Sequence, residues 1–433
     1  MKTKGNALIA VFCMLLAVQV IFAGRVAAQA GAVDTRTVER LERLIEAQQR
    51  QLESLQRQLD ELKQTAAAAK SEATEAKTVA EAAKTTAETA PGKTVTSGQE
   101  RVKLAISGQV HRAVNVADDG KNTAAYYVDS DASNSRLRFV GTAKATDDLT
   151  IGSRIEFAVA PNESGDVSQD SEESGDFTDQ RWAEVSLDSK RFGKLSLGKG
   201  STASDNSAEV DLSRTDVVQY ASVADIAGGL LFRERNGDKL TDVSVSDAFK
   251  DFDGLSRKSR LRYDTPTFYG FHLSGSLVSD QRYDASLWWA GQGLGFKAAG
   301  AVAFADPNED DTDYQYDGSF SLLHEATGLN LTLSSGLKEG DGKSDAYNYY
   351  AKVGWLTRFF TFGETAFGID YDRSVNLPTG RDEGYSVGGA VVQQIEDFGT
   401  ELYVQYRLYS LDRDGAPSVQ DINVGTIGMR VKF

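Results

Sequence analysis

Cysteine is nearly missing from this chain: among 433 residues only Cys13 carries a thiol. It lies in an apolar N-terminal stretch and lacks the Leu-x-x-Cys context of a lipid-modified cysteine. The rest of the chain therefore has no thiol for a disulfide, a metal or nucleophilic catalysis. Long apolar runs are the second absence. Past the extreme N-terminus no window of about 19 apolar residues occurs, which argues against a bundle of membrane helices. The third is basic excess. Lys and Arg number 47 against 63 Asp and Glu, a formal charge of −16, so a nucleic-acid partner, which needs clustered positive charge, is not expected. Histidine is scarce too. His111, His272 and His324 sit on separate runs without metal-ligand spacing or an acid partner, so neither a metal nor another cofactor is expected. The segment 306–313, rich in Asp, lacks the order of an EF-hand loop and reads as a solvated tip. Gly291-Gln292-Gly293-Leu294-Gly295 reads as a turn, since no helix follows to hold a phosphate.

The N-terminus is organised by two other patterns. Lys2 and Lys4 precede an apolar core from Ala7 to Ala23, and Ala28-Gln29-Ala30 supplies a small-x-small site. Residues 1–30 are thus expected to be a cleaved export signal. From 31 to 92 one heptad persists, with Val38, Leu41, Ile45, Gln48, Leu52, Leu55, Leu59 and Leu62 at core positions, continued in alanine from Ala66 to Ala90. A seven-residue repeat kept this long implies a left-handed coiled coil, a rod of roughly 80 Å at about 1.5 Å per residue. Pro91-Gly92 ends it, and 93–100 is a polar linker.

From 101 to 433 the chain reads as one amphipathic strand after another. In the last, Ile427, Met429, Val431 and Phe433 share a face, with Arg430 and Lys432 on the other. Over 149–159, Leu149, Ile151, Ile155 and Phe157 oppose Arg154 and Glu156. Leu402, Val404, Tyr406 and Leu408 oppose Tyr403, Gln405 and Arg407. Such alternation suits a strand between hydrocarbon and water, and it escapes a hydropathy scan, as the mean hydropathy of −0.37 shows. Placing Arg or Lys on the lipid side costs about 2–4 kcal/mol near the midplane, so the arginines should point into a wet lumen. About sixteen runs can be counted. Short connections (146–148, 191–193, 290–292, 326–328, 397–399) alternate with longer acidic ones (117–133, 161–179, 373–383, 412–420), as periplasmic turns alternate with external loops. The expected fold is all-β: a sixteen-stranded antiparallel transmembrane barrel preceded by a helical coiled coil.

Residues 181–199 (Arg-Trp-Ala-Glu-Val-Ser-Leu-Asp-Ser-Lys-Arg-Phe-Gly-Lys-Leu-Ser-Leu-Gly-Lys) resemble a hairpin of the Gram-negative general porins. Arg181, Ala183, Val185, Leu187, Phe192, Gly193, Leu195, Leu197 and Gly198 match; Glu184, Ser186 and Lys199 depart from the pattern. Ser135-Arg136-Leu137-Arg138-Phe139-Val140-Gly141 is similar to a second strand of that family, with Arg138 where the family has Gly. The ending Gly-Met-Arg-Val-Lys-Phe resembles the family terminus, in which Phe433 would be the signal read by the barrel-assembly machinery. The resemblance implies a homotrimer in the cell outer membrane, among lipid and lipopolysaccharide, and a third external loop folded inward as a constriction. The connection 201–256 has that place. Its Asp205, Glu209, Asp211, Asp216 and Asp225 are expected to face a basic wall of Arg136, Arg138, Arg154, Lys258, Arg260 and Arg262 across the opening. Opposed charges of that kind favour one ion sign. No nucleophile–base pair can be assembled, so a passive diffusion channel is expected rather than an enzyme. A second reading makes the coiled coil, in the periplasm, a tether to peptidoglycan or another periplasmic partner.

Overall fold

The computed structural model describes residues 94–96, 102–174, 179–309, 312–340 and 344–433. The export signal expected at 1–30 and the stem expected at 31–92 lie outside the described residues. The strands are β1 (Thr94–Thr96), β2 (Val102–Asp118), β3 (Thr123–Asp129), β4 (Arg136–Lys144), β5 (Leu149–Ala158), β6 (Asp179–Ser189), β7 (Gly193–Ser201), β8 (Leu231–Arg233), β9 (Leu240–Ser244) and β10 (Arg257–Asp264). They continue as β11 (Phe271–Val278), β12 (Tyr283–Gly293), β13 (Phe296–Asp306), β14 (Gln315–His324), β15 (Leu329–Lys338), β16 (Ala346–Phe360), β17 (Gly363–Val375), β18 (Glu383–Ile395), β19 (Thr400–Asp412) and β20 (Ile422–Lys432).

Neighbours pair antiparallel, and β20 pairs back onto β2 from Gln109↔Lys432 to Asp118↔Asn423, which closes the sheet. β4 pairs with the first half of β2 and β3 with the second, so β3 and β4 are two parts of one stave interrupted by the 3-10 turn Asp131–Ser133. With that stave counted once, the described residues form a closed barrel of sixteen strands. β1 continues the edge of β2 below the last residue, Thr94 opposite Ala105, while Phe433 exchanges backbone hydrogen bonds with Gly108.

The alternation read from the sequence is present stave by stave. On β19, Leu402, Val404 and Tyr406 are 40–54% exposed toward the outside, whereas Tyr403, Gln405 and Arg407 between them are at most 4% exposed. Two connections differ from expectation. The loop expected at 117–133 is a tight hairpin instead: Asp119 accepts hydrogen bonds from the amides of Lys121 and Asn122, turns the chain in four residues, and releases 123–129 as strand. The turn expected at 290–292 lies at Leu294-Gly295, both at positive φ, because β12 and β13 remain in register to Gly293↔Phe296.

The larger difference is inside. The sequence implied a wet, charged lumen around an inward-folded loop; in the structure that loop also packs an apolar cluster against part of the wall. The connection 202–256 enters the barrel and folds into the 3-10 turn Val223–Ile226, the hairpin β8–β9 and a helical turn Val245–Ala248 capped reciprocally by Ser244 and Asp247. Its Val217, Val218, Ile226, Phe232 and Phe249 form one apolar cluster with the inward faces of β2, β3 and β16–β20, among them Val128, Tyr350, Val392, Tyr409 and Ile422. Each such side chain withdrawn from water contributes about 1.5–3 kcal/mol. Strand periodicity cannot reveal this, because inward apolar positions look like noise until a loop covers them. The loop also crosses the closing seam: Gln420 N donates to Arg233 O (2.7 Å), Arg235 N to Ser418 O (2.8 Å), and Arg233 pairs with Asp119 (2.7 Å).

An outward charge should be costly where an inward one is not. Val404→Arg on the lipid face is expected to lower the stability of the refolded barrel by about 2–4 kcal/mol, read by urea titration in bilayers. An unchanged midpoint would contradict the assignment of faces.

Candidate functional site: the charged constriction

The part of the lumen left open is a continuous cavity of about 1390 Å³. One side of it is basic. On β4–β6 four guanidiniums surround one carboxylate. Glu156 accepts from Arg138 Nε (2.6 Å), Arg154 (2.8 Å) and Arg181 Nε (2.9 Å), with Arg136 at 3.7 Å. The register explains the hub. Arg138 lies opposite Glu156 across β4–β5, and Arg154 lies two residues before it on the same inward face. Arg154 stacks on the Trp182 ring at 3.8 Å, with Arg257 at 5.5 Å from the same ring. Cation–π stacking on a desolvated indole holds like charges together.

The sequence-expected basic residues divide into two groups. Arg136, Arg138 and Lys258 line the cavity. Arg154 lies behind them against Trp182. Arg260 is held in the wall by Glu184 (2.5 Å), Ser201 O and Gly198 O, and Arg262 by Asp264 (2.7 Å) and Thr202 O. These last two secure the root of the inward loop and are absent from the lining, which corrects the expectation that both face the opening. Arg181 and Arg257, which do line it, were not singled out as pore residues. Arg181 was in view only as a matched hairpin residue.

All five expected acids of the loop line the cavity, joined by Asp251 and Asp253. Only some face the basic wall. Asp205 approaches Arg257 at 3.8 Å. Asp211 instead pairs with Lys352 on β16, and Asp225 is held within the loop by Tyr220 and Ser222. Glu209, Asp251 and Asp253 form a carboxylate cluster. Burial first, then the field of neighbouring acids, pushes Glu209 and Asp253 well above the usual carboxylate range. The same causes push Asp251 up to about 6. Among the described residues no group of three or more acid, His or Cys side chains has the geometry to hold a metal ion.

Opposite, on β17–β20, Arg407 reaches across Gly388 to form a bidentate pair with Asp370 (2.9 and 2.6 Å); a Cβ at Gly388 would stand 2.6 Å from that guanidinium. Arg430 and Lys432 share Glu401. The arrangement lines the cavity with fixed charge of both signs.

The hub predicts its own weak point. Glu156→Gln removes the buried carboxylate on which four guanidiniums converge and should lower stability by about 3 kcal/mol, read as a lower temperature for loss of the heat-modifiable band. A wild-type transition would show that the arginines are compensated elsewhere.

A family model described as Gram-negative porin matches residues 65–425. The search of curated proteins returns no match. Several solved structures share the fold. OmpT of Vibrio cholerae is 12% identical with a TM-score of 0.53, covering 79% of this chain and 100% of its own. An anion-selective porin from Comamonas acidovorans is 14% identical with a TM-score of 0.53, covering 77% and 100%. The channel DcaP of Acinetobacter baumannii is 10% identical with a TM-score of 0.51, covering 78% and 99%.

Proposed function

Because the chain belongs to the family of Gram-negative porins, and so forms an outer-membrane diffusion channel, we propose that it passes small hydrophilic solutes and ions without catalysis, and that the charged constriction sets an anion preference near neutral pH. The observation that carries the preference is the density of cations on one wall: Arg136, Arg138, Arg154 and Arg181 converge on Glu156, and Arg257 and Lys258 line the cavity beside them. Across the opening, burial and mutual repulsion raise the carboxyls of Glu209 and Asp253 well above the usual range and that of Asp251 to about 6, which weakens the acidic side as the pH falls. The positive wall is therefore the stronger pole, and anions gain at the narrowest point.

The assembly we infer is a homotrimer in the outer membrane, inserted by the barrel-assembly machinery through a terminal Phe433 and surrounded by lipid and lipopolysaccharide. A trimer form of the Vibrio cholerae OmpT, of the same fold, supports the stoichiometry. The coiled-coil stem belongs in the periplasm, where it can meet peptidoglycan. Support comes from β1, which pairs on the same rim of β2 as the terminal Phe433.

Reversal potential in a KCl gradient tests the preference. Raising the pH from 5 to 8 carries Asp251 through its value of about 6, adds negative charge to the lumen and should shift the potential toward cations. Arg136→Gln with Arg138→Gln should shift it the same way at constant pH. A potential that neither change moves would contradict the assigned constriction.

A further inference from the structure

Lys352 is a lysine with no exposed side-chain surface, on the inward face of β16. An ammonium carries three donors and no acceptor, and removing it from water is costly unless all three are used. Here they are. Nζ donates to Asp211 Oδ2, to Thr215 Oγ1 at 2.9 Å and to Gln219 O at 2.7 Å. All three acceptors lie on one short piece of the inward loop, 211–219, which winds around the single nitrogen. The winding is consolidated locally: Ser213 N donates to Asp211 at 2.8 Å, Gln219 N to Thr215 O at 2.7 Å, and Arg214 takes a positive φ of 66°. On the far side Gln219 lies against Gly368, where a Cβ would come within 2.1 Å of its Oε1.

Lys352 itself does not line the cavity, but the segment it gathers does. Leu212, Arg214 and Asp216 project from this winding into the open part of the lumen, and Arg214 reaches toward Glu364 at 3.6 Å. We propose that Lys352 is a positioning residue of the channel: its ammonium fixes the 211–219 winding and so sets where Arg214 and Asp216 stand in the solute path. The inference rests on the channel reading above. A charged donor with three acceptors suits this task better than apolar packing, because it specifies one register of the loop. An apolar contact would permit sliding. Elsewhere the loop is attached by serines and carboxylates, such as Ser204 on Asp284 (2.6 Å) and Ser319 on Ser207 O (2.6 Å). Those attachments hold the 203–207 stretch; over 211–219 Leu212 N donates to Ser321 Oγ (3.0 Å), Thr332 Oγ1 to Asp211 (3.3 Å) and Gln219 Nε2 to Gly368 O (3.3 Å), and Lys352 is the group that gathers three acceptors of the winding on one atom.

The test is the charge-balanced pair Lys352→Met with Asp211→Asn, which removes the ammonium without leaving its buried counter-charge. Full-length variant and parent are compared in planar bilayers and by amide hydrogen exchange. The heat-modifiable barrel should persist, while current fluctuations between substates rise at least about tenfold, the equivalent of one of the three charge-assisted hydrogen bonds removed, and exchange over 211–219 accelerates. Reversal potential should also shift, although the net charge is unchanged, because Arg214 and Asp216 move. Parent-like noise and reversal potential overturn the proposal, whatever the exchange shows. If the pair does not fold, Thr215→Val, which deletes one acceptor, decides alone: raised substate noise supports the proposal and parent-like current overturns it. A parent giving no conductance steps at all would be a failure of the channel reading instead, and hydrogen exchange over 211–219 would then decide the role of Lys352.

Discussion

A strand in hydrocarbon must find a partner for every backbone N–H and C=O, since no water is there to supply one. Everything else in this barrel follows from that requirement. It forces the sheet to close on itself from β20 to β2, and it forces side chains to alternate between lipid and lumen. Sixteen staves enclose more space than small side chains can fill. The remaining question is what occupies that space, and the molecule answers it in two ways at once.

On the side of β2–β3 and β16–β20 the lumen is filled by the 202–256 connection, whose valines, isoleucine and phenylalanines bury themselves against inward alanines, tyrosines and branched residues. On the side of β4–β6 and β10 it carries arginines, and the opening is lined as well by charged side chains of other staves, such as Lys297, Lys338, Glu401 and Arg430. The division is economical in physical terms. Apolar packing anchors much of the loop, alongside buried charged contacts such as Lys352 with Asp211 and Arg233 with Asp119, and other carboxylates along its free edge line the cavity. Charge that is used structurally, as in Arg260 with Glu184 or Arg407 with Asp370, is fully paired and withdrawn from the solute path. Charge that serves the opening is concentrated on one wall, as around Glu156.

Much of the barrel was legible in advance because the relevant period is local. Residues such as Leu402 to Leu408 announce their two faces within one strand, and the hairpin around Phe192-Gly193 carries its turn chemistry with it. The site was less legible. Arg136, Arg138 and Lys258 could be placed on the lumen by alternation, and the five loop acids by the resemblance to an inward-folded loop; all of them line the cavity. Which of them meet is decided by register between staves and by the path of a loop of more than fifty residues, and neither is written in a short window. Arg260 and Arg262 read like pore residues yet serve the loop's root. Glu156 shares the inward face of Arg154, which was visible, but the convergence of β4 and β6 on it was not. Lys352 gave no signal, since its partners stand more than a hundred residues earlier.

The central claim is that one barrel interior holds a wet basic side and a dry apolar side. Introduced cysteines test it most directly, since Cys13 is the chain's single thiol. With Lys258→Cys and Phe232→Cys examined in turn on a Cys13→Ser background, a membrane-impermeant charged thiol reagent is added during bilayer recording. The account predicts rapid reaction and reduced current at position 258, and no reaction at 232. Reaction at 232 together with inertness at 258 would contradict it.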